Sequence, residues 1–224
     1  MIDCFTEESI KVIMLAQEES RRLGHSFVYT GQILLGIISE GTSVAAEILK
    51  SKGVTLEQVQ IEVEKIVGHG SDFTTVDLPF SPKACRALDL AAEKAEQLKH
   101  NYLDAEHLLL GALHVEDGIA FQVLADLGVD VTEIRDLIVQ RLGENFPQKS
   151  RHACALASEA RRIIDLAAEK FTQLEPSYFT AEDALIDGLS IDERILLQSL
   201  ADAGEDTTEV RDLIVQRLSE GTQG

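Results

Sequence analysis

Six histidines, three cysteines and 39 carboxylates are the groups in this 224-residue chain with which chemistry could be done, and their spacing limits what that chemistry is. Cys4, Cys85 and Cys154 are odd in number and lack CxxC spacing, which argues against a disulfide framework and a zinc site and fits a reducing compartment. His107 and His114 stand two helical turns apart with Asp104 ahead of them; HxxxH spacing is missing, so both are expected on a solvated helix face rather than on a metal. His25 and His100 fall at equivalent places between two helices, and that recurrence points to a shared turn requirement. No Ser–His–Asp or Cys–His set stands out, and no phosphate-binding GxxxxGK(S/T) loop occurs in the chain. The expectation is a non-enzymatic protein with no metal site and no cofactor.

With 20 Lys and Arg against 39 Asp and Glu, the net charge of −19 repels a phosphate backbone, so no nucleic-acid partner is expected. Met1-Ile-Asp-Cys-Phe5 offers neither a basic start nor an apolar signal run, and nowhere do about 18 apolar residues follow one another. No membrane partner is therefore expected, and a cytoplasmic location is. Hydrophobic residues make up 45% of the chain but aromatics only 5%, without tryptophan; a core of Leu, Ile, Val and Ala favours helices.

The elements that must carry these residues come from an internal repeat. A shift of 75 residues lays His25 on His100, Phe27 on Tyr102, Leu34-Leu35-Gly36 on Leu109-Leu110-Gly111 and Gly53-Val54 on Gly128-Val129. A further shift of 76 lays Asp89-Leu-Ala-Ala-Glu-Lys94 on Asp165-Leu-Ala-Ala-Glu-Lys170, and Arg135–Leu142 on Arg211–Leu218. Three copies result: repeat one over 5–67, repeat two over 80–143, and a third after the joint Gly143-Glu-Asn-Phe-Pro147. Residues 1–145 are expected to form a double-repeat domain and 146–224 a third helical repeat, with Gly68–Pro79 as the linker between the first two.

Each copy reads as four helices. In repeat two Ala84, Ala87, Leu88, Ala91, Ala92, Ala95 and Leu98 form an apolar stripe behind the start signal Ser81-Pro82. A second helix after Asp104 carries Leu108, Leu109, Ala112 and Leu113, and a third carries Ile119, Val123 and Leu124 before Gly128. The fourth is expected to open on a capping box in every copy: Thr55 with Gln58, Asp130 with Glu133, Asp206 with Glu209.

The segment Phe5-Thr-Glu-Glu-Ser-Ile-Lys-Val-Ile-Met-Leu-Ala-Gln-Glu-Glu19, together with Gly24-His25, Gln32-Ile-Leu-Leu-Gly36 and Asn101-Tyr-Leu-Asp-Ala-Glu-His-Leu-Leu-Leu-Gly111, resembles the double-repeat amino-terminal domain of Clp chaperones, most nearly the ClpC type. The resemblance covers about residues 5–142. It implies an all-α fold in which two four-helix repeats are related by a pseudo-twofold, and a domain that receives substrates and adaptor proteins. Without a phosphate loop, the chain is expected to act as an adaptor or accessory subunit that binds Clp ATPase or protease components and their substrate or adaptor proteins. The alternative is an accessory subunit that stabilises the protease assembly without touching substrate.

In some ClpC-type relatives a glutamate just inside the second helix of each repeat helps to recognise phosphorylated arginine. Glu106 and Glu182 stand at that place, whereas repeat one has Gly31, which argues against a symmetric pair of pockets. A carboxylate suits the guanidinium, while hydroxyls and helix N–H groups suit the phosphate, so Thr6, Thr30 and Ser81 are further candidates. The opposing reading is structural, since acidic residues favour a helix's first turn and Thr6 and Ser81 are natural caps. The third copy has no partner repeat in the chain, and its stripe of Ala160, Ile163, Ile164, Ala167, Ala168, Phe171 and Leu174 calls for cover. A homodimer through the third repeat is expected ahead of folding back on the first pair.

Overall fold

The structure is a computed structural model that describes residues 5–70 and 78–143. Among these residues there are eight α-helices and no strand: α1 Glu7–Arg22, α2 Thr30–Glu40, α3 Val44–Ser51 and α4 Leu56–Val67 in repeat one, then α5 Pro82–Gln97, α6 Ala105–His114, α7 Ile119–Asp126 and α8 Val131–Gly143 in repeat two. The all-α fold expected from the sequence is what is found. The third copy, with its boundary at 146, its Asp206–Glu209 cap and the homodimer built on it, lies outside the described residues, as do Cys4, Cys154 and Glu182.

Helix α1 starts where Thr6 Oγ1 accepts the Ser9 N–H at 3.2 Å, with Glu7 and Glu8 at its positive end and Arg21 and Arg22 at its negative end. Helix α5 starts the same way, Ser81 Oγ accepting from Ala84 N at 3.2 Å with Pro82 in the first turn. The two helices stop differently: Gly24 turns out of α1 with φ +72°, but Lys99 does the same after α5 with φ +58°. A Cβ in that left-handed region is strained, so repeat two carries a small conformational cost that repeat one avoids.

Helices α2 and α6 are enclosed nearly all round; Thr30–Ile37 and Ala105–Leu113 are buried without a break. Glycine lets their outer neighbours approach. A Cβ on Gly36 would lie 2.3 Å from the Val12 carbonyl oxygen of α1, and one on Gly111 would lie 2.1 Å from that of Ala87 on α5. Matching this, the buried face of α5 consists of Ala84, Ala87, Ala91 and Ala95, while Leu88, Ala92 and Leu98 of the expected stripe are only half-buried.

The repeats interlock. Thr6 N–H donates to Leu103 O at 2.9 Å, and Ser81 N–H donates to Val28 O at the same length. These bonds are related by the 75-residue shift and belong to two short parallel bridges, Phe5 with Leu103 and Val28 with Phe80. Each repeat's entry segment thus pairs with the residues preceding the other repeat's second helix, which is the pseudo-twofold in hydrogen bonds. Packing follows it, α3 against α8 and α4 against α7, around fully buried Phe27, Tyr29, Phe80 and Tyr102.

The expected linker and the expected capping boxes fare differently. The linker is anchored at both ends: Gly70 N–H donates to Leu23 O at 2.8 Å, Gln17 Nε2 to Leu78 O at 3.2 Å, and Val28 N–H to Pro79 O at 2.8 Å. The capping boxes need correction: the box is reciprocal only in repeat one, where Thr55 N–H donates to Gln58 Oε1 and Gln58 N–H to Thr55 Oγ1. In repeat two Asp130 Oδ1 does accept from Thr132 N and Glu133 N, but the Glu133 carboxylate reaches across to Lys52 instead. The α3–α8 contact supplies an ammonium that competes successfully with a backbone N–H.

Candidate functional site

Two junctions, one at each end of the pseudo-twofold, gather the candidate residues. At the first, the starts of α1, α6 and α3 meet. Thr6 Oγ1 donates to Asp104 Oδ1 at 2.7 Å, across 98 residues of sequence. That same carboxylate oxygen accepts Ala105 N–H at 3.0 Å, and Ser9 Oγ donates to Leu103 O at 2.9 Å. In the first turn of α6, Glu106 Oε1 accepts the Ala45 N–H of α3 at 3.0 Å. An acid from repeat two therefore caps a helix of repeat one, where the helix dipole favours negative charge.

At the second junction Ser81 opens α5, and Thr30 Oγ1 accepts the Ala120 N–H of α7 at 3.2 Å. Ala120 is the counterpart of Ala45, so Thr30 does for α7 what Glu106 does for α3, from one position earlier in its helix. Lys83 adds a cation here, its Nζ 3.0 Å from Asp117 Oδ2. Where repeat two has Glu106, repeat one has Gly31, and a Cβ on Gly31 would lie 2.6 Å from Ile119 Cγ2 and 3.2 Å from Val63 Cγ2. The space that a side chain at position 31 would take is filled by α7 and α4.

The structure thus brings Thr6 and Glu106 to one junction and Thr30 and Ser81 to the other. All four are at most 2% exposed and all bond to a helix terminus. Asp104 and Ser9 were missed by sequence reasoning, although Asp104-x-x-His107 is itself a capping pattern with histidine in the place of Glu or Gln: Asp104 N–H donates to His107 Nδ1 at 3.0 Å.

The histidines also depart from expectation. His107 is not on a solvated face; it is fully buried, because α6 is wrapped by neighbours on every side, and it lies 2.9 Å from His100 Nδ1 through its Nε2. Burial, and then the neighbouring His100, push its pKa down to about 3. His100 is lowered too, by burial, with the Asp104 charge acting in the opposite direction. His114 is half-buried and bonds to Leu110 O at 2.7 Å. His25 meets Gly68 O at 3.1 Å, which is the shared turn role in another form. Among the described residues no group of three or more His, Cys, Asp or Glu is placed to hold a metal ion, and no single helix is long and apolar enough to cross a membrane.

The sequence pattern described as the Clp repeat (R) N-terminal domain matches residues 4–93 and again residues 79–203. The chain belongs to the Clp repeat amino-terminal domain family. Its Clp repeats are 56% identical over 145 residues to chaperone protein ClpC1, chloroplastic, of Arabidopsis thaliana, covering 65% of this chain and 16% of the relative. A ClpA homolog of Porphyra purpurea, described as an ATP-dependent Clp protease ATP-binding subunit, is likewise 56% identical over 65% of the chain and 18% of its own length. The chain spans about a sixth of the length of the curated relatives it matches. Among solved structures, the amino-terminal domain of ClpD from Arabidopsis thaliana is similar with a TM-score of 0.54 at 27% identity, covering 63% of this chain and 96% of that one. The Hsp104 amino-terminal domain of Candida albicans has a TM-score of 0.54 at 20% identity over 68% and 99%, a likeness of fold.

Proposed function

We propose that this Clp repeat protein is a non-catalytic binding module of a Clp chaperone or protease system, one that receives substrate or adaptor polypeptides. The observation that carries the reading is its 56% identity, over 145 residues, to chaperones and protease ATP-binding subunits of that system. Its partners are then Clp ATPase or protease components and their clients, in an aqueous, reducing compartment such as the cytoplasm or the chloroplast stroma, the latter suggested by the chloroplastic relatives. Residues 146–224 would add a further helical repeat, pairing with its counterpart in a second chain.

For ligand recognition we favour the Glu106 junction, with Thr6 beside it, over the junction of Thr30 and Ser81, where Ile119 occupies the space next to Gly31. A phosphorylated arginine would place its guanidinium on Glu106 in exchange for the Ala45 N–H, and its phosphate on helix N–H groups. Glu182 would serve the third repeat in the same way. Titration of the whole chain with a phosphoarginine peptide, in calorimetry, tests this: wild type binds, Glu106→Gln binds at least tenfold more weakly, and the unphosphorylated peptide does not bind. Binding unchanged in Glu106→Gln, with the fold intact, refutes the placement.

A second reading is favoured by the near-complete burial of Thr6, Thr30, Ser81 and Glu106, all engaged in capping. In it the chain is an accessory subunit that stabilises the Clp protease assembly without touching substrate. Co-sedimentation with that assembly, unaffected by Glu106→Gln and accompanied by no peptide binding, would select it.

A further inference from the structure

We propose that His107, His100 and Asp104 form a proton-operated latch that fastens the α6 start, and with it the Thr6–Leu103 seam, while the pseudo-symmetric Ser81–Val28 seam carries no such device.

The hydrogen-bond geometry leaves little freedom for protons. His107 Nδ1 faces the Asp104 N–H at 3.0 Å, a group that can only donate, so this nitrogen must be bare. Its proton therefore sits on Nε2 and is donated to His100 Nδ1 at 2.9 Å, which must be bare in turn. An extra proton on either ring has to enter at an Nδ1 that already faces a donor. Both rings are held neutral, and charging either one breaks a bond in the chain His100–His107–Asp104.

That chain ends on the seam. Asp104 Oδ1 accepts from Thr6 Oγ1 at 2.7 Å, and the preceding residue supplies the carbonyl for Thr6 N–H at 2.9 Å. The groups around the pair are known on each side. Tyr102 stacks on His100 with ring centroids 5.5 Å apart, α1 presents the hydroxyls of Thr6 and Ser9 to Asp104 and Leu103, and α5 holds His100 through Ala95 O at 2.9 Å. On α6 itself Asp104 and Glu106 are the nearby acids, Glu106 being turned to α3.

Repeat one is built without the latch. Gln32 stands where His107 does, and its Oε1 accepts Tyr29 N–H at 3.2 Å, a bond that does not titrate. His25 stands where His100 does, but its Nε2 faces the Gly68 carbonyl oxygen at 3.1 Å, an acceptor suited to the charged ring as well as the neutral one. The two seams share the backbone bond, Thr6 N–H to Leu103 O and Ser81 N–H to Val28 O, but differ in proton sensitivity, so one serves as the internal control for the other.

Amide hydrogen exchange of the whole chain, followed residue by residue by NMR at pH 7 and pH 5, tests the latch. An opening that returns His107 from about 3 to the ordinary value near 6.5 becomes about 25-fold more populated over that range. Protection factors at Thr6 N–H and Asp104 N–H are expected to fall by about that factor, and the one at Ser81 N–H to stay constant. His107→Gln, which installs the residue of repeat one, should remove the pH response at Thr6. Equal loss of protection at Thr6 and Ser81, or an undiminished response in His107→Gln, overturns the proposal. Nitrogen shifts of the wild-type imidazoles provide a check independent of the variant: both rings must carry their proton on Nε2 at pH 7, and an Nδ1–H form of either overturns it.

Discussion

Replacing Gly111 by alanine adds a single methyl group to the most enclosed helix of repeat two, and the structure fixes what that methyl meets. It would stand 2.1 Å from Ala87 O, 2.8 Å from Ala91 N and 2.9 Å from Ala91 Cβ. Two of these are backbone atoms, so no rotamer change relieves the contact; α5 must retreat from α6 by about 1 Å to restore ordinary separations of about 3.3 Å. Overpacking of this kind costs about 1–3 kcal/mol or more, and a retreat along the Ala84–Ala87–Ala91–Ala95 face places the cost at or above the top of that range. Against it stands a gain of about 1 kcal/mol from helix propensity. A net loss of about 2–3 kcal/mol follows, lowering Tm by about 4–12 °C in thermal unfolding followed by circular dichroism. Gly128→Ala is the control, since nothing lies within 4 Å of its Cβ position and only its φ of +72° opposes the change. If Gly111→Ala is as stable as wild type, or more stable, the backbone-to-backbone approach of α5 and α6 is wrong.

Lys99→Gly should stabilise the chain by about 0.5–1 kcal/mol, because it releases the left-handed Cβ at φ +58°; a lowered urea midpoint would contradict this. Thr6→Val removes the bond to Asp104 and the α1 cap together and should cost about 1–3 kcal/mol in the same assay, well above what Thr55→Val costs at its exposed cap. Gly31→Ala should be destabilising in wild type but less so beside Ile119→Ala, which removes the nearest of the opposing atoms, the Ile119 Cγ2 methyl, and a double-mutant cycle measures that coupling. Glu40 gives an acid dependence: burial alone would raise its pKa, but hydrogen bonds from Thr42 and Ser43 outweigh burial and hold it below the ordinary 4.5. Its contribution is present above that value and lost as the pH falls below it through the lowered folded value, so Glu40→Gln should show a smaller drop in urea midpoint between pH 6 and pH 3.5 than wild type.

Repeats, helix order and most caps were readable from residues near one another in sequence. Leu34-Leu35-Gly36 over Leu109-Leu110-Gly111 fixed the period, and Ser81-Pro82 marked a helix start that the structure places one residue on either side of the α5 boundary. What escaped depended on partners far away. His107 reads as polar on its own helix and is buried because six other helices surround α6. Glu133 has the right spacing to complete a box with Asp130 and instead answers Lys52, 81 residues earlier. Gly31 announced that repeat one lacks a carboxylate, but only the packing shows that Ile119 has moved into the space. The candidate site was legible as residues and illegible as two junctions, since its unit is the contact between repeats.

The crossed pairing of entry segments separates the unit of inheritance from the unit of folding. A fragment stopping at residue 70 would strand Phe5 without its bridge, Thr6 without an acceptor for its N–H and α3 without its acidic cap, all at once. One copy in isolation is half of a clasp, and the other repeat supplies the second half.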